Sequence, residues 1–274
     1  MSDFTVKFWG VRGALPCSAP DQVEFGGNTA CVEVRCAGKL IVLDAGSGLR
    51  NLGKHLLSLG RDIDFDLLLS HCHLDHVIGL PFFDPAYSDR ASFRIRAGNL
   101  LPGTNVHDTV AQMMTPPLFP IMPEAFRARI DYSDFRAGEP LDLGGLEVAT
   151  APLFHPGGAT GYRIPCGQTA IAYVTDNEHR PTGPDPQLVD LVRDVDLMIY
   201  DASYTPEEYE RRVGWGHSTW TEAVRLAEIA GVKRIALFHH DPSHDDDAMC
   251  AIEAQAQQEF PAAFAAREGM VVEL

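Results

Sequence analysis

The run His71-Cys72-His73-Leu74-Asp75-His76 constrains this chain more than any other stretch. Three imidazoles and a carboxylate fall within six residues, directly after the apolar run at 65–69. If these polar groups served packing alone, each would need its own partner at one buried strand end. Neutral imidazoles and ionised carboxylates are ligands for Zn²⁺, Mn²⁺ or Fe²⁺. His71 and His73 are two apart, so on extended backbone they share a face and can grip one ion. Asp75 and His76 follow where the chain must turn, and can address a second ion. Cys72 alternates away from the histidines and reads as a small buried filler. The motif is half of a two-metal site, and the fold must bring the other half to the same strand end.

Strand-like and helix-like segments alternate along the chain. Residues 4–9, 31–36, 40–43, 65–69, 92–97, 146–151, 161–164, 169–174, 196–200 and 234–238 read as strands. Residues 47–59 have helical periodicity, and Thr219-Trp220-Thr221-Glu222 matches a capping box for a helix closed by Gly231. Residues 248–266 read as a helix interrupted near Pro261. Residues 101–123 hold five prolines among apolar side chains; they read as an irregular segment that either packs on the core or forms a lid. Residues 1–274 are expected to form one α/β domain, without linker or internal repeat.

The remaining candidates fall at strand ends. His155 follows 146–151, Asp176 lies just beyond 169–174, and Asp201 and His239 directly follow 196–200 and 234–238. His217 sits in the glycine-rich loop Gly214-Trp215-Gly216-His217, ahead of the capped helix. Layered α/β folds gather ligand sites at the carboxyl ends of strands. Taken singly, His155, His217 and His239 are ordinary packing or surface residues; their shared placement points to one site. His55, His107, His179, His240 and His244 lack that support, although His240, next to His239, could orient a ligand.

These residues resemble the metallo-β-lactamase superfamily: His-x-His-x-Asp-His, then a lone His, a lone Asp, and a His after a late strand. Gly216-His217-Ser218-Thr219 narrows the resemblance to the phosphodiesterase branch, which includes tRNA 3′-processing endonucleases and small cyclic phosphodiesterases. Phe8-Trp9-Gly10-Val11-Arg12-Gly13 and Phe25-Gly26-Gly27-Asn28-Thr29 are similar to a bacterial subgroup of it. The resemblance implies an αββα four-layer sandwich of the metallo-β-lactamase type, with two divalent metal ions at one edge of its sheets. Zn²⁺ is expected first, with Mn²⁺ or Fe²⁺ as alternatives. It implies that His71, His73 and His155 hold one ion, that Asp75, His76 and His239 hold the other, and that Asp176 bridges them. It also implies that Asp44 supports the metal loop. His217 would be the general acid, with Asp201 fixing its tautomer and Asp75 counted among the catalytic residues. In the tRNA-processing relatives a Glu occupies the Asp201 position, so the shorter carboxylate is a departure.

The expected activity is phosphodiester hydrolysis by a hydroxide that two ions roughly 3.5–4 Å apart activate and clamp. His155 and Asp176 are only 21 positions apart, which leaves no room for the long basic arm of the tRNA-processing enzymes. The net charge of −16 also disfavours a long nucleic acid. A small phosphodiester, possibly cyclic, is the expected substrate. The six cysteines form no C-x-x-C pair and the start Met1-Ser2-Asp3-Phe4 lacks a secretory pattern, so a cytoplasmic setting is expected. No membrane span is expected, and a homodimer is carried as a guess. Arg12 and Asn28 either reach the substrate phosphate or form turns and salt bridges. Two other functions fit the ligand set: hydrolysis of a lactone, thioester or β-lactam, and metal retention in a sensor or binding module without turnover.

Overall fold

The computed structural model describes residues 4–274. Residues 1–3, on which part of the secretory reading rests, lie outside the described residues. The described residues form fourteen strands: β1 (Phe4–Gly10), β2 (Cys31–Cys36), β3 (Lys39–Leu43), β4 (Ile63–Leu69), β5 (Ala91–Ala97), β6 (Arg129–Asp134), β7 (Leu141–Asp142), β8 (Glu147–Leu153), β9 (Ala159–Cys166), β10 (Thr169–Val174), β11 (Leu197–Asp201), β12 (Ile235–Phe238), β13 (Ala263–Ala265) and β14 (Val271–Glu273). They form two seven-stranded sheets, ordered β14-β1-β2-β3-β4-β5-β6 and β13-β12-β11-β10-β9-β8-β7. The α-helices are α1 (Leu49–Ser58), α2 (Leu74–Val77), α3 (Val106–Met113), α4 (Pro186–Val192), α5 (Pro206–Tyr209), α6 (Trp220–Ala230) and α7 (Asp246–Glu259).

Both sheets follow one plan. Starting from β14 in the first and β7 in the second, three antiparallel pairings are followed by three parallel ones. The sequence shows no repeat, yet the backbone topology is repeated. The plan brings the carboxyl ends of β8, β10, β11 and β12 to one edge of their sheet, as it does for β3 and β4 in the other.

The layers follow from side-chain alternation. Val6, Phe8, Val32, Val34, Ile41 and Leu43 of the first sheet meet Tyr162, Ile164, Ile171, Tyr173, Leu197 and Phe238 of the second. Strand β10 is apolar on both faces, because Ala170, Ala172 and Val174 pack instead against Leu188, Leu191 and Trp220 on the helix side. A strand covered on both faces has to be apolar throughout. On the other flank, Leu49, Leu52 and Leu56 of α1 cover β3, β4 and β5, around a stacked Phe65–Phe93 pair with ring centres 4.8 Å apart. The order helix, sheet, sheet, helix is the expected αββα sandwich.

Three departures have local causes. Residues 101–123 contain α3, whose N-cap Asn105 accepts from Asp108 N–H, and Val106, Val110 and Met114 bury against the core. The prolines lie on either side of that helix, so they bound it rather than abolish it. The C-terminal helix ends at Glu259, and Ala263–Ala265 beyond Pro261 adds an edge strand instead. Helix α4, capped by Asp185 with Pro186 at its start, was not expected at all. No helix of the described residues is long and apolar enough to cross a membrane.

Candidate metal centre

Seven side chains from four strand ends converge at the shared edge. His71, His73, Asp75 and His76 follow β4, His155 follows β8, Asp176 follows β10 and His239 follows β12. His155 Nε2 lies 3.1 Å from His73 Nδ1 and 3.7 Å from Asp176 Oδ1, and His71 Nε2 lies 3.8 Å from the same oxygen. Around the other Asp176 oxygen, Oδ2, stand His76 Nε2 at 3.1 Å and His239 Nε2 at 3.3 Å. Asp75 Oδ2 is 3.3 Å from both of those nitrogens. Asp176 therefore presents one oxygen to each of two groups: His71/His73/His155 and Asp75/His76/His239.

The far side of each imidazole decides which nitrogen faces the cluster. His71 Nδ1–H donates to Ser70 Oγ at 3.1 Å, and Ser70 O–H donates to Asp44 Oδ2 at 2.8 Å. His76 Nδ1–H donates to Asp44 Oδ2 at 2.8 Å. His155 Nδ1–H donates to the Gly216 carbonyl at 2.8 Å, and His239 Nδ1–H donates to Ser203 Oγ at 3.1 Å. With Nδ1 protonated, Nε2 turns a lone pair inward in all four. This is how metal-binding histidines are usually oriented.

Burial keeps the His71 and His155 rings neutral, well suited to donate a lone pair. Burial works against a charged His76 as well, yet the carboxylates of Asp176, Asp75 and Asp44 outweigh it and favour positive charge there. Asp176 and Asp75 are themselves held well below the ordinary carboxylate range: burial opposes this, and the surrounding imidazoles prevail. A cluster that demands positive charge and offers inward lone pairs fits divalent cations. The buried His71 Nε2, which no protein atom hydrogen-bonds, fits them too.

The backbone here is held in unusual conformations. Asp44, Asp176 and His239 have φ of +60°, +53° and +62°. Left-handed backbone costs a non-glycine residue roughly 1–2 kcal/mol, and such residues gather at functional sites. Asp44 is fully buried and accepts four hydrogen bonds: from Ser70 N–H, Ser70 O–H, Tyr173 O–H and His76 Nδ1–H, at 2.7–2.8 Å. It spans the sheets, since Tyr173 belongs to β10.

His217 sits at the mouth of the cluster, its ring stacked on His239 with centres 4.8 Å apart. Its Nδ1–H donates to Asp201 Oδ2 at 2.9 Å. Burial opposes charging the ring, but Asp201, followed by Asp176 and Asp75, raises its pKa to about 9. Asp201 is fully buried and is held below the usual range by His217 despite its desolvation.

Other parts of the centre were not foreseen. Ala14 N–H donates to Asp75 Oδ2 at 2.8 Å, and a Cβ on Gly13 would lie 2.2 Å from the His239 ring, so the opening loop lies directly on the cluster. The buried Glu178 carboxylate accepts from Gly214 N–H at 2.6 Å and Gly216 N–H at 2.8 Å, which fixes the His217 loop. Gly216, at φ +89°, is open to no other residue, because a Cβ would meet His155 Nδ1 at 2.3 Å. The glycine in Gly-His-Ser-Thr was a legible signal; Glu178, Ser203 and Tyr173 carry none, because their roles come from distant chain segments.

Several residues stand apart from the centre. Arg12 is fully buried and donates to the carbonyls of Gly26, Asp241 and His244. Asn28 is held by Glu268 and accepts from Ser47 O–H at 2.9 Å. Both have the structural role rather than the phosphate-binding one. His240 Nε2–H donates to the Ala266 carbonyl at 2.8 Å, and burial lowers its pKa to about 3. Cys72 packs on the outer core, where burial pushes its thiol up to about 12.

A family model described as "Beta-lactamase superfamily domain" matches residues 39–240, most of the chain. The chain belongs to the metallo-β-lactamase superfamily. Its curated relatives include enzymes named ribonuclease Z and ribonuclease BN, several of which it matches over about 30% of their own length or less. A ribonuclease Z from Myxococcus xanthus is 37% identical over 94 residues, which span 34% of this chain but only 30% of that relative. A ribonuclease Z from Porphyromonas gingivalis is 24% identical over 328 aligned residues that cover 100% of both chains. Among solved structures, the metallo-beta-lactamase fold protein YhfI from Bacillus subtilis has a TM-score of 0.74 at 19% identity, covering 100% of both chains.

Proposed function

We propose that this chain is a dinuclear phosphodiesterase for a small, cyclic or short linear phosphodiester. His71, His73 and His155 would hold one ion, Asp75, His76 and His239 the other, with Asp176 bridging; Zn²⁺ suits these nitrogen and oxygen donors best. Bound there, the ions would supply Lewis acidity and a nucleophile at neutral pH. The rest of the chemistry belongs to the protein. His217 presents a protonated imidazole toward the reacting centre and donates that proton to the leaving oxygen. Asp201, on Nδ1, leaves Nε2–H to make the transfer and stabilises the charged ring. Ala14 N–H holds the Asp75 carboxylate in place.

One observation carries this reading: the His217–Asp201 pair, 2.9 Å apart with Asp201 fully buried, beside the seven-residue cluster. Departure of an alkoxide needs a proton, and this pair keeps one available. A small substrate is supported by the segment between His155 and Asp176, which β9 and β10 fill as an antiparallel hairpin. The Porphyromonas alignment needs 328 positions for a chain of 274 residues, so that relative carries segments without a counterpart here. The net charge of −16 points the same way.

The test is metal analysis combined with a screen of cyclic and linear phosphodiesters beside lactones and β-lactams. Two ions per chain and turnover of phosphodiesters is the expected result. Turnover confined to lactones or β-lactams would overturn the substrate class, and one ion or none would overturn the centre.

A further inference from the structure

The loop that carries His217 also carries a tryptophan with no part in that chemistry. The Trp215 side chain leaves the residue 60% exposed, although the backbone on both sides of it is hydrogen-bonded in place. Gly214 and Gly216 N–H, on either side, donate to Glu178; Trp215 N–H donates to the Arg212 carbonyl at 3.0 Å; and the Gly216 carbonyl receives the His155 proton. The Arg212 guanidinium stands 5.3 Å from the indole centre and 4.9 Å from the buried Tyr204 ring, and is anchored to Asp241 Oδ2 at 3.1 Å. Trp215 is two residues from His217, so their α-carbons are at most about 7 Å apart.

An aromatic ring exposed on a rigid support beside a reacting centre is suited to be a ligand platform, because little freedom is lost when a partner settles on it. The ligand must be small, and with a chain charge of −16 its affinity has to come from contacts close to the centre. We propose that Trp215 stacks the nucleobase of the substrate, so that the diester cleaved is that of a nucleoside. This rests on the phosphodiesterase reading above. Every base has a π face, so stacking on an indole tolerates any of them, and the neighbouring Arg212 adds a cation for the base or the phosphate. Among small phosphodiesters, the platform selects those with an aromatic group over those built on glycerol or a sugar alone.

The test compares two five-membered cyclic diesters on the metal-loaded enzyme: adenosine 2′,3′-cyclic phosphate and glycerol 1,2-cyclic phosphate. In Trp215→Ala, the ratio of kcat/KM for the adenosine compound to that for the glycerol compound falls by about 5- to 100-fold, mainly through KM. Trp215→Phe restores most of the ratio, whereas Trp215→Leu, apolar but not aromatic, does not. A ratio unchanged in Trp215→Ala, while both diesters are still cleaved, overturns the stacking assignment and leaves the phosphodiesterase reading standing. Cleavage of neither diester, nor of any linear phosphodiester, by the unaltered enzyme overturns both.

Discussion

Asp44→Asn isolates what a buried carboxylate does for a centre in which it holds a ligand, His76, without facing the ions itself. Asparagine has the same shape and tolerates φ near +60°, so the backbone need not change. The amide keeps one acceptor, and Ser70 N–H can retain it. The other position becomes an N–H₂ facing the Ser70 and Tyr173 hydroxyls at 2.8 and 2.7 Å and His76 Nδ1–H at 2.8 Å. The hydroxyls can rotate; the imidazole has no such freedom. Its cheapest response is to move the proton from Nδ1 to Nε2, which points at His239, Asp75 and Asp176 within 3.3 Å. That nitrogen then has no lone pair for an ion. Loss of such an outer partner typically costs 10–100-fold in metal affinity, which is about 1.4–2.7 kcal/mol. One mismatched buried donor adds about 1–3 kcal/mol of instability. Titration against a chromophoric chelator should show one tight and one weakened ion per chain in D44N, with the fold intact by circular dichroism. Two ions bound with unchanged affinity would refute the tautomer argument, even if the variant were less stable.

Further expectations follow from the same geometry. Gly216→Ala places a methyl 2.3 Å from His155 Nδ1, so the His71/His73/His155 group should lose its ion first, and metal stoichiometry reads this directly. His217→Ala should slow diesters with alkoxide leaving groups by about 10²–10⁴-fold and nitrophenyl esters far less; equal losses would remove His217 as the acid. In the intact enzyme, the rate for alkoxide leaving groups should fall as pH rises through a pKa no higher than about 9, because the imidazolium is the active form and bound cations can only lower that value. The same limb surviving in H217A would assign it to another group. Chelation should lower Tm by about 5–10 °C relative to protein at a hundredfold excess of free metal over Kd, with recovery on adding two equivalents of Zn²⁺. A Tm indifferent to chelator would mean that the cluster binds no ion.

Much of the site was legible because strand ends are legible. An apolar run that stops at a histidine or aspartate places that residue at an edge, and this located His71, His155, Asp176 and His239 from spacing alone. Pairing them was beyond it, since that depends on how two sheets stack. The elements missed share a cause. Strand β6 is an edge strand whose residues are all partly or fully exposed, β7 and β14 are only two and three residues long, and α4, though it buries Leu188, Leu191 and Val192, is seven residues long, too short for its periodicity to stand out. Residues 101–123, rich in proline, read as irregular, yet those prolines bound a short helix at Val106–Met113.

By itself, the sequence determined which side chains are available as ligands and which strand ends carry them, because periodicity and local turn chemistry are written in neighbouring residues. Only the tertiary structure decided which oxygen of Asp176 meets which group, that Asp44 governs His76 across 32 positions, and that Glu178 fixes the loop holding His217 and Trp215. Hydrogen bonds act over about 3 Å, so they are set by how the layers stack, and no local pattern in the chain encodes that distance.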